Sequence, residues 1–304
     1  MPRGSCRTLP TRRECLAGLG VGGAAMLTRG AMARPFGRHD SLPLRRDTLS
    51  FGVIDREHIA TGGNLRDLRA ATVQRLIQRI DRLQAGGGHD LIHLGALFGM
   101  YPWTAAEIAM LTLDGDGAEM RSLCVTAARH GCYLTFETPA TQATGPGNHA
   151  MLIGPTGELW RQGPPGADDA PPIVRTDIGN IALLVDRHEP AALASLALRG
   201  AEIVMFASAS EAVGAAAIAA EAHQLFCIGR THQPCSPAAA ISEAGDIRRV
   251  AAIFDPRGRI VSRAPDAMIR AVSAPIELGR WRRLRRAPEQ AGVAPPPDGA
   301  SRRG

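Results

Sequence analysis

Apolar side chains recur at Leu65, Leu68, Val73, Leu76, Ile77, Ile80 and Leu83, the i, i+3, i+4 rhythm of a helix that buries one face. Residues 64–84 are therefore predicted to form an amphipathic helix, and the run Gly86-Gly87-Gly88 stops it. Upstream, residues 49–54 read as a strand. Downstream, residues 90–94 form a short apolar strand, residues 120–130 a helix closed by Gly131, and residues 132–137 the next strand. Strands thus alternate with helices, as in layered βαβ units.

Beyond this point the pattern repeats itself. Residues 150–162 and 252–264 both read as β-hairpins around a Pro-x-Gly turn. Pro155 and Pro256 suit the first corner of the turn, and Gly157 and Gly258 can take the positive φ that a bulged hairpin needs. Between the hairpins, residues 177–208 read as strand, sharp turn, helix and strand, followed by a helix at 212–224 and a strand at 225–229. Two halves, each with strands, helices and a hairpin, imply two packed sheets with helices outside.

Composition changes this picture in three ways. Aromatic residues make up only 4% of the 304 residues, so Ala, Leu, Ile and Val must fill the core. All 35 basic residues are Arg, which removes any mechanism that depends on a lysine amine. The net charge of +6 is carried by the ends: residues 1–33 hold +4 and residues 280–304 hold +5, leaving −3 for residues 34–279. A mildly acidic body argues against nucleic-acid binding as the main role.

The first 33 residues read as an export signal. Arg12 and Arg13 precede a short Gly- and Ala-rich apolar run that ends in Ala31-Met32-Ala33, the layout of a cleaved twin-arginine leader. Cleavage near Ala33 predicts an exported, periplasmic protein. No run of 18 apolar residues predicts a membrane span. The expected organisation is a leader at 1–33, a linker at 34–48, one α/β domain at 49–284 and a disordered Arg- and Pro-rich tail at 285–304. Cys124 and Cys132 read as small core residues, while Cys227 and Cys235 flank a strand and turn where export permits a disulfide. No His or Cys spacing points to a metal site, and no cofactor is implied.

The segment at 177–208 carries a family resemblance. Asp186, Pro190 and the run from Ala197 to Glu202 (Ala-Leu-Arg-Gly-Ala-Glu) lie in the register of the nucleophile segment of the carbon–nitrogen hydrolase, or nitrilase, superfamily. Asp90-Leu91-Ile92 with Leu97-Phe98 resembles its second strand, and residues 148–158 resemble its Asn-containing hairpin. Met100-Tyr101-Pro102 and Ala105-Ala106-Glu107 are similar to the aliphatic amidase and formamidase branch. The resemblance runs from about residue 49 to residue 284 and implies a four-layer α-β-β-α sandwich.

It also implies a mechanism with three groups: a Cys thiolate that attacks the amide or nitrile carbon, a Glu that moves the proton, and a Lys that steadies the oxyanion. In register, these positions hold Leu184, Ala96 and Pro165. None can do that chemistry. The residues left to form a pocket are Glu137, Leu184, Asp186 and His188, of which His188 beside carboxylates is an acid/base candidate. The expectation is a non-catalytic member that either binds a small amide- or carboxylate-type ligand or serves as a partner subunit, as a homo-oligomer or beside an intact relative. The alternative is a hydrolase with acid/base chemistry rebuilt around His188 and Asp186.

Overall fold

Two sheets pressed face to face impose one demand on every central strand: apolar residues on both surfaces. The computed structural model, which describes residues 41–54, 64–98, 104–142, 145–162, 172–185, 190–206, 220–229, 252–261 and 271–290, meets it. In chain order the elements are β1 (Leu49–Ile54), α1 (Leu65–Ala85), β2 (Leu91–Ala96), α2 (Ala105–Leu111), α3 (Ala118–His130), β3 (Tyr133–Gln142), β4 (Gly145–Ile153) and β5 (Leu159–Gln162). Then follow β6 (Ile173–Thr176), β7 (Gly179–Leu184), α4 (Pro190–Leu198), β8 (Ile203–Phe206), β9 (Phe226–Gly229), β10 (Ala252–Phe254), β11 (Ala271–Ile276) and α5 (Leu278–Gln290).

The first sheet has the order β11-β1-β2-β3-β4-β5 and the second β10-β9-β8-β7-β6. Each has a parallel trio at its centre, β1-β2-β3 and β7-β8-β9, with antiparallel strands at the edges. Phe51, Val53, Leu91 and Leu152 from one sheet and Ile181, Leu183, Ile203 and Ile228 from the other form the shared inner core. On the outer face of the first sheet, Ile92, Leu134 and Phe136 meet Val73, Ile80 and Leu83 of α1 and Met120 and Leu123 of α3. Leu193, Leu196 and Ala197 of α4 are buried with the second half. The predicted α/β sandwich is the observed one.

Local signals explain the boundaries. The Asn64 side chain accepts the Arg66 N–H at the start of α1, and Gly86 closes its end. Thr104 and Glu107 form a reciprocal capping box on α2, and Gly131 ends α3 in the left-handed conformation. Gly157 and Gly258 have φ of 87° and 70°, as the hairpin reading requires. In the described part of the second hairpin, β10 meets its return through the Phe254–Ile260 bridge, with the Val261 N–H donating to the Ile253 carbonyl at 2.8 Å.

Four expectations change. Residues 41–48, read as part of a linker, are fastened to the domain: the Arg45 N–H donates to the Asp177 carbonyl at 2.8 Å and Arg46 pairs with buried Asp90. The tail read as disordered from 285 is helical up to Gln290 in α5. Glu137 does not end its strand, because pairing with β4 carries β3 to Gln142. Cys124 is half-buried rather than a core residue. Of the helix expected at 212–224, the described part, residues 220–223, is helical as expected. The leader with Arg12 and Arg13 lies outside the described residues, as do Cys235, Pro165, Asp186 and His188. No helix of the described residues is long and apolar enough to cross a membrane.

Two stability predictions follow from this packing. Gly179 has φ of 122°, and a Cβ there would lie 2.7 Å from Leu278 Cδ2 and 3.0 Å from Ile203 Cδ1. Gly179→Ala is expected to cost about 2 kcal/mol or more, read as a lower urea midpoint. Burial also holds His89, His149 and His223 below their ordinary 6.5, with His149 brought to about 4 by burial and the neighbouring Arg161. Their folded-state values lie below the unfolded one. The stability they contribute is therefore complete above pH 6.5 and lost as pH falls from there toward 4. Urea midpoints at pH 8 and pH 5 should differ in that sense, and His89→Asn should shrink the difference.

Candidate functional site

The inner face at the carboxyl ends of β2 and β3 departs from the apolar rule. On β2, Leu91 and His93 point inward, and strict alternation would send Ala96 outward. Instead His93 pairs with Thr135 and Ala96 with Glu137, so three steps on β2 match two on β3. The extra residue is a β-bulge at Gly95, whose φ is 66°. The bulge turns Ala96 onto the face that carries Glu137, and the Leu97 N–H closes it by donating to the Glu137 carbonyl at 2.9 Å.

Glu137 is 1% exposed. Its lateral partners are Ala96 on β2 and Ala150 on β4, so a methyl side chain flanks its carboxylate on either side. One row toward the strand starts, His93 Nδ1 lies 3.0 Å from Thr135 Oγ1, both residues being buried. One row the other way, Asn148 faces Pro139 and is also buried. His93, Thr135, Glu137 and Asn148 thus line one buried surface, a concentration of polar groups that a packing role alone does not require.

Among the sequence-predicted site residues, the structure brings Ala96 and Glu137 together as strand partners. Leu184 ends β7, pairs with Phe206 and is 1% exposed. Its neighbours Leu183 and Val185 belong to the inner core, so the period of the strand directs Leu184 with Ala182 toward the opposite, helix-covered face. His93, Thr135 and Gly95 were not singled out from the sequence. The signals were there: a His inside the apolar run Leu91-Ile92-His93-Leu94, then a Gly within a strand.

Other candidates are less apt. Cys227 is a free thiol, fully enclosed on β9, and burial pushes its pKa far up, so it does not serve as a thiolate. Burial likewise raises Cys132 to about 11. A surface cavity of about 260 Å³ is lined by Arg45, Arg46, His89, Asp90, His130 and Gly131. It sits at the amino ends of β2 and β3, at the far end of those strands from Ala96 and Glu137. Its Arg charges are taken up by Asp90 and Asp177. Among the described residues no three His, Cys, Asp or Glu are placed to hold a metal ion.

Comparison with known proteins agrees with this architecture. A search of curated protein sequences finds no match. Solved structures with the same fold include an amidase from Nesterenkonia sp., with 14% identity, a TM-score of 0.57, and coverage of 82% of this chain and 98% of that one. A carbon–nitrogen hydrolase from Helicobacter pylori G27 shares 18% identity with a TM-score of 0.57, covering 82% and 96%. The C. elegans NitFhit protein shares 15% identity with a TM-score of 0.61, covering 83% of this chain and 66% of that one. At these identities the likeness is one of fold. The carbon–nitrogen hydrolase family model, however, matches residues 67–286, most of the sequence. This chain belongs to the carbon–nitrogen hydrolase family.

Proposed function

We propose that this protein is a carbon–nitrogen hydrolase family member that does not run the Cys-Glu-Lys reaction and works as an exported, ligand-binding or partner-supporting subunit. One observation carries the reading: the family register puts Leu184 and Ala96 in the nucleophile and base positions, and both are buried hydrocarbon side chains. The chain also has no Lys to hold an oxyanion. Loss of a nucleophile alone costs on the order of 10⁶ in turnover. The leader with Arg12 and Arg13 supports export. The small, apolar helix α4 supports pairing of subunits, either with a second copy or with an intact relative.

A second reading has its own support. Glu137 stands one strand away from Ala96, on the same buried face, near His93. A carboxylate relocated by one strand, acting with His93 or with Asp186 and His188, is the natural seat for rebuilt acid/base hydrolysis of an amide-type bond. Both readings leave a small amide or carboxylate as the ligand class.

The purified mature chain, beginning near Arg34, is expected to release no ammonia above background from a panel of amides, nitriles and ureides. Turnover abolished by Glu137→Gln or His188→Ala would replace the first reading with the second. Export is tested separately. A chain with Arg12→Lys and Arg13→Lys should stay uncleaved in the cytoplasm, while the parent is recovered from the periplasm with a new amino terminus near residue 34.

A further inference from the structure

The segment ahead of β1 makes contacts out of proportion to its length. Arg45 donates to the Gly131 carbonyl at 2.9 Å and to Asp177 Oδ1 at 3.0 Å, and its guanidinium lies 5.4 Å from the centre of the Tyr133 ring. Tyr133 donates its own hydroxyl to the same Asp177 oxygen at 2.9 Å. Gly131 and Tyr133 belong to the first sheet and its helix, whereas Asp177 lies in the turn between β6 and β7 of the second. One side chain therefore bridges the two sheets. Ser41 accepts from Asn180 Nδ2 at 3.1 Å, and Leu44 packs against the inner core.

The same segment grips the far end of the described chain. Asp47 takes the Gly279 N–H on its carbonyl at 3.0 Å and pairs through its carboxylate with Arg283 at 2.6 Å. Arg282 donates to the Leu42 carbonyl at 2.8 Å while its other nitrogens hold buried Glu202 at 2.7 and 2.6 Å. Gly279 has no side chain where Asp47 passes: a Cβ there would collide with the Asp47 carboxylate and lie 2.9 Å from the Asp47 Cα. Trp281, next in line, packs edge-on against Phe226 at 6.5 Å between ring centres.

We propose that residues 41–47 and helix α5 form a clasp, each docked only while the other is, that locks the two sheets at the amino ends of β2 and β3. The charged contacts on Asp47 are largely exposed and hold little by themselves. Their value lies in joining the buried Arg282–Glu202 pair and Trp281 to the Arg45 bridge, so that opening either side strips partners from the other. Release of the strap frees a helix that carries Trp281 and Arg280, Arg282, Arg283, Arg285 and Arg286. The clasp is thus a conformational lock on a basic carboxyl-terminal arm.

The arginines of α5 make trypsin a direct probe. In the full chain, Arg45→Gln should speed cleavage after Arg282 by about tenfold, and Asp47→Asn, which loses only an exposed pair, by about twofold, because proteolysis follows the population of the open form. Hydrogen exchange in residues 278–284 should quicken with it. Gly279→Ala should do the same without removing any charge, which keeps the test valid if the Arg45 variant fails to fold. Conversely, Arg282→Gln should speed exchange at the Arg45 amide. Unchanged α5 protection in folded Asp47→Asn and Gly279→Ala, or faster α5 exchange with an unaffected strap, would mean that the two dock independently and would overturn the proposal.

Discussion

Face-to-face burial of two sheets is the constraint on which the rest of the molecule depends. An interior about 10 Å thick, filled from both sides, admits no water to solvate a polar group. Each strand of the parallel trios is then pressed to be apolar on its inner and its outer face, as β1, β2 and β7 are apart from Ser50, His93 and Asn180. The few polar side chains on the inner face, His93, Thr135, Glu137 and Asn148, stand out for that reason. Burial gives them meaning that their identities alone do not. A Glu on the surface of this chain says nothing about chemistry; the same residue buried between Ala96 and Ala150 is a polar group that packing alone does not call for.

Much of this fold is legible in the amino-acid sequence, because its signals are short-range. The stripe from Leu65 to Leu83, the Gly131 stop and the two Pro-x-Gly hairpins each depend on a handful of neighbouring residues, and each reappears in the structure. Elements whose stability comes from distant partners are harder to read. The edge strand β11 is a strand because β1 pairs with all six of its residues, and α5 persists past Leu284 within an Arg-rich run with no apolar stripe to announce it. The strap at 41–47 is the extreme case. Its partners include Asp177, Asn180, Gly279 and Arg282, each more than a hundred positions away, and composition alone presents it as a linker.

The site was legible as residue types but not as geometry. The sequence places Glu137 late in a strand, whereas the structure sets it in register with Ala96 across β2 and β3. That register could not be counted from sequence, since the bulge at Gly95 breaks the alternation that such counting assumes. Leu184 was identified by a family resemblance, which gave its position along β7 and not the face it occupies.

The Gly95 bulge has a consequence for the molecule's history as well as its shape. By aligning position 96 with position 137 on neighbouring strands, it places their side chains within one strand spacing, about 5 Å, on a face without solvent. Two carboxylates so placed could not both ionise, and one would be forced to keep its proton. Positions 96 and 137 therefore share a single allowance of negative charge. A chain holding Glu137 could take a second acid at position 96 only with one of the two protonated. Any path between the two arrangements must pass through a form with one carboxylate neutral or with neither present.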